Sequence, residues 1–169
     1  MRFFVTGEQR RKYLINTIVL MFLGYIALFA LSNALMYFHK MDLSAHSVVA
    51  YYLGSEENYT QARSYQSLLE VSHFHLFSMG MLVLTLTHLL IFTEIPLLLK
   101  ISLTSSCFLA AVLDELSGWL VRYIHPLFAY LKIGSFLVLE TSLILLLEIV
   151  RISLLKHRQV ITPPFNTPD

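Results

Sequence analysis

The chain has 169 residues, of which 56% are hydrophobic and only 14% are Asp, Glu, Lys or Arg, and its mean hydropathy is +0.66. A soluble domain holds about half its residues apolar and roughly a quarter charged, so a water-soluble globular fold is excluded. The net charge of +1 and a pI near 7.9 point away from a nucleic-acid partner. The single cysteine, Cys107, excludes an internal disulfide.

Apolar windows of about 20 residues cross a hydrocarbon core about 30 Å thick. Four are expected here, over residues 13–38, 71–95, 101–123 and 127–150. The predicted fold is all-α: a four-helix transmembrane bundle, one integral membrane domain over residues 1–169, in contact with the lipid bilayer. Arg10, Arg11 and Lys12 precede the first span in the manner of a signal peptide. The apolar run is too long for one and no small-residue cleavage site follows, so it is read as a retained anchor.

The loop over residues 39–70 is the only sizeable part expected outside the membrane. Residues 43–53 predict a short amphipathic helix stopped by Gly54, and residues 60–69 predict a helix running straight into the second span. Asn58-Tyr59-Thr60 is a formal glycosylation triplet. Pro96 marks the turn between the second and third spans, and Pro126 the turn between the third and fourth. The proline-rich stretch 162–168 predicts an extended tail.

Basic residues set the expected orientation. Arg2, Arg10, Arg11 and Lys12 lie in the first tail, residues 1–12; Arg151, Lys156 and Arg158 lie in the second, residues 151–169; Lys100 lies near the short inner connection. The long loop has Lys40 and Arg63 against Asp42, Glu56, Glu57 and Glu70. Both tails are then cytoplasmic and the loop is periplasmic.

Five of the seven histidines gather at the loop end: His39, His46, His73, His75 and His125. Histidines from three helices at one depth suit a haem or a metal ion, and they equally suit a water-facing rim where each bonds backbone or water. On the second span, His73, Phe77, Gly80, Leu84, Thr87 and His88 share one side at about 100° per residue. Small and polar residues mark the packed face of a membrane helix, so His73 and His88 are expected to point into the bundle. His75, Met79, Leu82, Leu86 and Leu89 fall on the other side. The third span carries Cys107, Ala111, Asp114, Gly118 and His125 on one stripe. This predicts a bis-histidine b-type haem near the outer face, ligated by His73 and His125, with His75 or His39 as substitutes. Imidazole serves iron, copper and zinc alike, so a copper or other metal site on the same residues stays open.

His88 lies deeper, and an ionisable group in hydrocarbon calls for a partner or a task. Met21, Thr85, a backbone carbonyl or a bound quinone are its candidate partners. Asp114, Glu115 and Glu140 are also embedded. Asp114 and Glu140 are candidates for proton or quinone contacts, Glu115 for an ion pair with Arg122, and all three for a structural polar network. Glu70 and His73 form a single Glu-x-x-His copy, where a di-iron bundle needs two. No phosphate loop, nucleophile motif or Cys-x-x-Cys-His haem attachment occurs.

Two resemblances follow. His73 and His88, with Gly80 between them, are loosely similar to the two-haem helices of membrane b-type cytochromes, but the spacing is one residue longer and no partner helix repeats the pair. Tyr52-Leu53-Gly54-Ser55-Glu56-Glu57, the run from Leu68-Leu69-Glu70-Val71-Ser72-His73-Phe74-His75-Leu76-Phe77, His88-Leu89 and Ser117-Gly118-Trp119-Leu120-Val121-Arg122-Tyr123 resemble a family of small bacterial four-span inner-membrane proteins. That resemblance implies a bacterial inner-membrane location and no particular reaction. The functional expectation is a membrane electron-transfer protein that relays electrons between the quinone pool and a periplasmic or membrane redox subunit. The alternative is a non-redox accessory subunit that docks a partner through loop residues such as Tyr51, Tyr52, Tyr59 and Tyr65. Nothing in the sequence marks the chain as an enzyme by itself.

Overall fold

The computed structural model describes the backbone of residues 2–57 and 59–161 and the side chains of residues 11–57 and 59–156. The glycosylation triplet's Asn58 and the tail 162–168 lie outside the described residues. Five helices follow one another: α1 (Arg2–Lys40), α2 (Ala45–Leu53), α3 (Tyr65–Ile91), α4 (Leu97–Tyr123) and α5 (Ala129–Ile161). A two-residue ladder, β1 (Gly54–Ser55) against β2 (Thr60–Gln61), closes the tip of the loop. Four helices are long and apolar enough to cross a membrane, over Arg11–Lys40, Tyr65–Ile91, Leu97–Tyr123 and Pro126–Lys156. The fold is an all-α transmembrane bundle, as the hydropathy predicts. The expected tails are not separate: α1 begins at Arg2 and α5 runs on to Ile161.

α5 is the central helix, packing against α1, α3 and α4. Its buried Leu139, Leu143, Leu146 and Val150 recur in steps of three and four, the spacing of one helical stripe. They meet Leu23 and Ile26 of α1, Met79, Val83, Leu86 and Leu90 of α3, and Cys107 and Ala110 of α4. This core fills the half of the bundle nearer the chain tails. α1 finds its main partner in α5, and α3 in α4. The outward faces are rich in leucine, isoleucine and phenylalanine, as suits contact with lipid.

The connections are capped. At the tail end the Lys100 ammonium donates to the Ile91 and Thr93 carbonyls at 2.8 and 2.6 Å, satisfying the last turn of α3. At the loop end the His125 ring accepts from the Leu127 N–H at 3.1 Å and starts the 3-10 turn Pro126–Phe128. Ser44 caps α2 by accepting from the Ser47 N–H, and the Asp42 carboxylate accepts from the Ser44 N–H at 2.7 Å. These Ser44 bonds hold the Asp42 carboxyl below the usual range.

The loop departs from expectation in one respect. Residues 60–69 do not form one helix: Thr60–Gln61 pairs back on Gly54–Ser55, and α3 starts only at Tyr65, capped by Ser64. Gly54 makes the reversal possible. It sits at φ 87°, and a Cβ there would lie 2.6 Å from the Thr60 carbonyl oxygen. α2 then lies across the loop end of the bundle, against α4 and α5, burying Val48 and Tyr52.

Candidate functional site

The loop-end half of the bundle is built differently from the tail half. Its core is Tyr37, Met41, Val48, Tyr52, Leu68, Val121, Ala129 and Phe136, so all four long helices and α2 contribute, with the aromatic rings coming from α1, α2 and α5. Tyr37 of α1 stacks on Phe136 of α5, ring centroids 3.7 Å apart and planes within 10°. Tyr52 of α2 lies over Gly118 of α4, where a Cβ would stand 2.8 Å from the Tyr52 hydroxyl oxygen. Only glycine admits that approach. Burial pushes the Tyr52 phenol pKa up.

Beneath these rings lie an ion pair and a carboxylate–histidine pair. The Lys132 ammonium of α5 meets the Asp114 carboxylate of α4 at 2.9 Å, with side chains 9% and 13% exposed. The same ammonium donates to the Asp114 carbonyl at 3.0 Å, which leaves it little freedom to turn. One residue on, Glu115 meets His75 of α3, Oε1 to Nδ1, at 2.5 Å. A carboxylate only accepts, so Nδ1 carries the hydrogen, and a neutral ring in this arrangement has its lone pair on Nε2. The His75 side chain is 47% exposed while Glu115 is 11% exposed. Ser72 lies beside this pair and accepts from the Trp119 indole N–H at 2.8 Å. About two turns further along α5 from Lys132, Glu140 accepts from the Asn33 amide of α1 at 2.5 Å. Paired and hydrogen-bonded charges are the form in which a membrane interior tolerates carboxylates. Among the described residues, no buried side-chain nitrogen or oxygen lacks a partner.

All of these polar groups but Glu140 line a cavity of about 550 Å³, within the range of small-molecule sites. α1 contributes Phe29, Asn33, Met36 and Lys40; α3 contributes Val71, Phe74 and His75; α4 and α5 supply the charged floor through Asp114, Glu115 and Lys132. Met36, Val71 and Phe74, on the α1 and α3 sides, are exposed at the surface of the bundle. The cavity therefore opens sideways, between two membrane helices.

The rotation of α3 differs from the sequence expectation. The buried stripe is Leu68, Ser72, Met79, Val83, Leu86 and Leu90, with Thr87 beside it. His73, Phe77, Leu84 and His88 are exposed. α3 is apolar almost all round, so its small and polar residues were a weak guide to its packed face. Gly80 has open space where its Cβ would be, and the Thr87 hydroxyl turns back to the Val83 carbonyl at 2.7 Å. His75, expected to point away, falls on the same side as Ser72 and Met79 at helical spacing, with its side chain half exposed at the cavity.

The other candidate ligands do not line the cavity. His73 meets only the edge of Phe74, its neighbour in the chain, in ring contacts. His39 is exposed on the last turn of α1, and His125 serves as a cap. His88 stands edge-on to Phe92, while Thr85 bonds the Met81 carbonyl and Met21 is 73% exposed. No group of three or more histidine, cysteine or acidic side chains converges among the described residues. Glu115 pairs with His75 and not with Arg122, whose Nε donates instead to the Arg63 carbonyl at 2.9 Å. Lys132 and Asn33 were not singled out in the sequence. The signal that would have found Lys132 is its charge, set within the fourth apolar span and needing a carboxylate.

No curated protein and no solved structure matches the chain. A family described as a transmembrane helical domain matches residues 42–161, the stretch from the loop through α5 that carries His75, Asp114, Glu115 and Lys132. The chain belongs to this family, Aq_1264_TM, a family of transmembrane helical domains.

Proposed function

We propose that this protein is a ligand-holding membrane subunit that takes an amphiphile from the bilayer into the loop-end cavity. The observation that carries this reading is the cavity's asymmetry. Its sides are apolar and open between α1 and α3, and its floor holds Asp114–Lys132 and Glu115–His75. A polar head would meet the floor while a hydrocarbon tail left sideways into lipid without crossing a polar barrier. The eight basic residues on the tails and at Lys100 favour a bacterial inner-membrane orientation with tails cytoplasmic and loop periplasmic. Native mass spectrometry of gently purified protein tests the reading. One retained amphiphile per chain, lost in Val71→Phe, is expected; a protein of bare mass in both forms would overturn it.

A second, redox reading rests on His75. A histidine whose Nδ1–H is held by a carboxylate presents Nε2 in the orientation of a metal-ligating imidazole. A b-type haem, a copper ion or a quinone in the cavity would then use His75, with Asp114 and Glu140 as proton-handling groups. The expected electron-transfer role thus moves from His73 and His125 to a residue that lines a cavity. A reduced-minus-oxidised spectrum with metal analysis decides it. A b-type α-band abolished by His75→Ala would support the haem, and a colourless protein with sub-stoichiometric metal would remove both haem and copper.

A further inference from the structure

Three cations stand at the loop end. Lys40, from the last turn of α1, and Arg63, from the segment before α3, both lie over the ring of Tyr51, at 6.0 and 4.1 Å from its centroid. Arg122, from the last turn of α4, lies over Tyr123 at 5.1 Å and is tied to the Arg63 backbone. Among the described residues, none of the three forms an ion pair with a carboxylate. Glu70, an acid on the cavity wall, accepts from the Gln66 amide at 2.9 Å. Lys40 and Tyr51 both line the cavity. Two like charges gathered on one ring, with no carboxylate in ion-pair range among the described residues, repel each other, and an anion between them relieves that repulsion.

We infer that the loop-end edge of the cavity, where Lys40 and Tyr51 line it and Arg63 lies over the Tyr51 ring, binds the phosphate of an anionic phospholipid. This rests on the proposed function and names the charge of its ligand. An Arg fork and a Lys point charge are the usual donors to a phosphate. They stand at helix ends, which is headgroup depth for a lipid whose chains fill the opening between α1 and α3. That opening selects a lipid over free phosphate, since inorganic phosphate has no use for the apolar sides beneath the cations.

Trp119 is the chain's only tryptophan and lines the same cavity, so it reports on occupancy. The experiment places the full chain in phosphatidylcholine nanodiscs and adds brominated phosphatidylglycerol or brominated phosphatidylcholine at equal mole fraction. Phosphatidylglycerol is expected to quench Trp119 at lower mole fraction, by roughly fivefold for each cation engaged. The preference disappears in the double variant Lys40→Gln/Arg63→Gln and survives in Lys40→Arg/Arg63→Lys, which guards against a folding defect. Inorganic phosphate is expected to leave the quenching unchanged; phosphate that reverses it would show a site for the free anion and overturn the lipid. Equal quenching by the two lipids, reduced in Val71→Phe, would overturn the anionic preference and leave the lateral ligand standing. Equal quenching in the wild type and in Val71→Phe would overturn both.

Discussion

The two halves of this bundle follow different rules. Towards the tails, Leu23, Ile26, Val83, Leu86, Leu139, Leu143 and Leu146 interlock in a dry core. Towards the loop, the same helices exchange aliphatic side chains for Tyr37, Trp119 and Phe136, joined by Tyr52 of α2, and for the Asp114–Lys132 ion pair and the Glu115–His75 pair around a cavity. Dispersion and shape hold the first half, because lipid offers no hydrophobic drive for one helix to prefer another. The second half holds charges where they are costly. The proposed function sets the ligand in the loop half and leaves the tail half to stability.

The largest effect should come from breaking the Asp114–Lys132 pair one-sidedly. Lys132→Met leaves a carboxylate at 13% exposure without its cation, which costs about 3–5 kcal/mol. Unfolding in mild detergent measures it, and Asp114→Leu/Lys132→Met together should recover most of the loss. Were the double variant as unstable as the single one, the pair would not be the source of the cost. Leu143→Ala, at a fully buried position of the tail half, should cost about 2–5 kcal/mol while leaving any retained ligand in place. Gly118→Ala sets a Cβ against the Tyr52 ring and should cost about 1–3 kcal/mol; Tyr52→Ala in the same background should relieve the clash. His73→Ala sits on an exposed turn and should stay within about 0.5 kcal/mol of wild type, with cavity properties unaltered, whereas His75→Ala should change ligand retention.

The smallest effect concerns acid. Asp42 has a folded pKa below its unfolded value because Ser44 bonds the carboxylate. Its contribution is therefore complete above the unfolded value of about 3.9 and is lost as pH falls through the folded value. Acid titration followed at α2 should show a local loosening that Asp42→Asn abolishes.

The sequence carried the spans, the stop at Gly54 and the three embedded carboxylates plainly. Long apolar runs have one meaning in a chain with so little charge, and a carboxylate within one of them has to be accommodated. It did not carry the rotation of α3. When a helix is apolar on every side, the choice of packed face belongs to its neighbours, and here Met79, Val83, Leu86 and Leu90 meet the stripe of α5. His75 was legible only as a member of that stripe, spaced by three from Ser72 and by four from Met79. Partners across helices were the least legible: Glu115 has Arg122 seven residues on in sequence, yet its contact is His75 on another helix.

The most direct test of the division between the halves is bound amphiphile per folded chain, measured by native mass spectrometry for Leu143→Ala and Val71→Phe side by side with their melting temperatures. The account predicts that Leu143→Ala melts early and keeps its ligand, while Val71→Phe melts near wild type and loses it. Ligand loss that simply tracked melting temperature in both variants would contradict it.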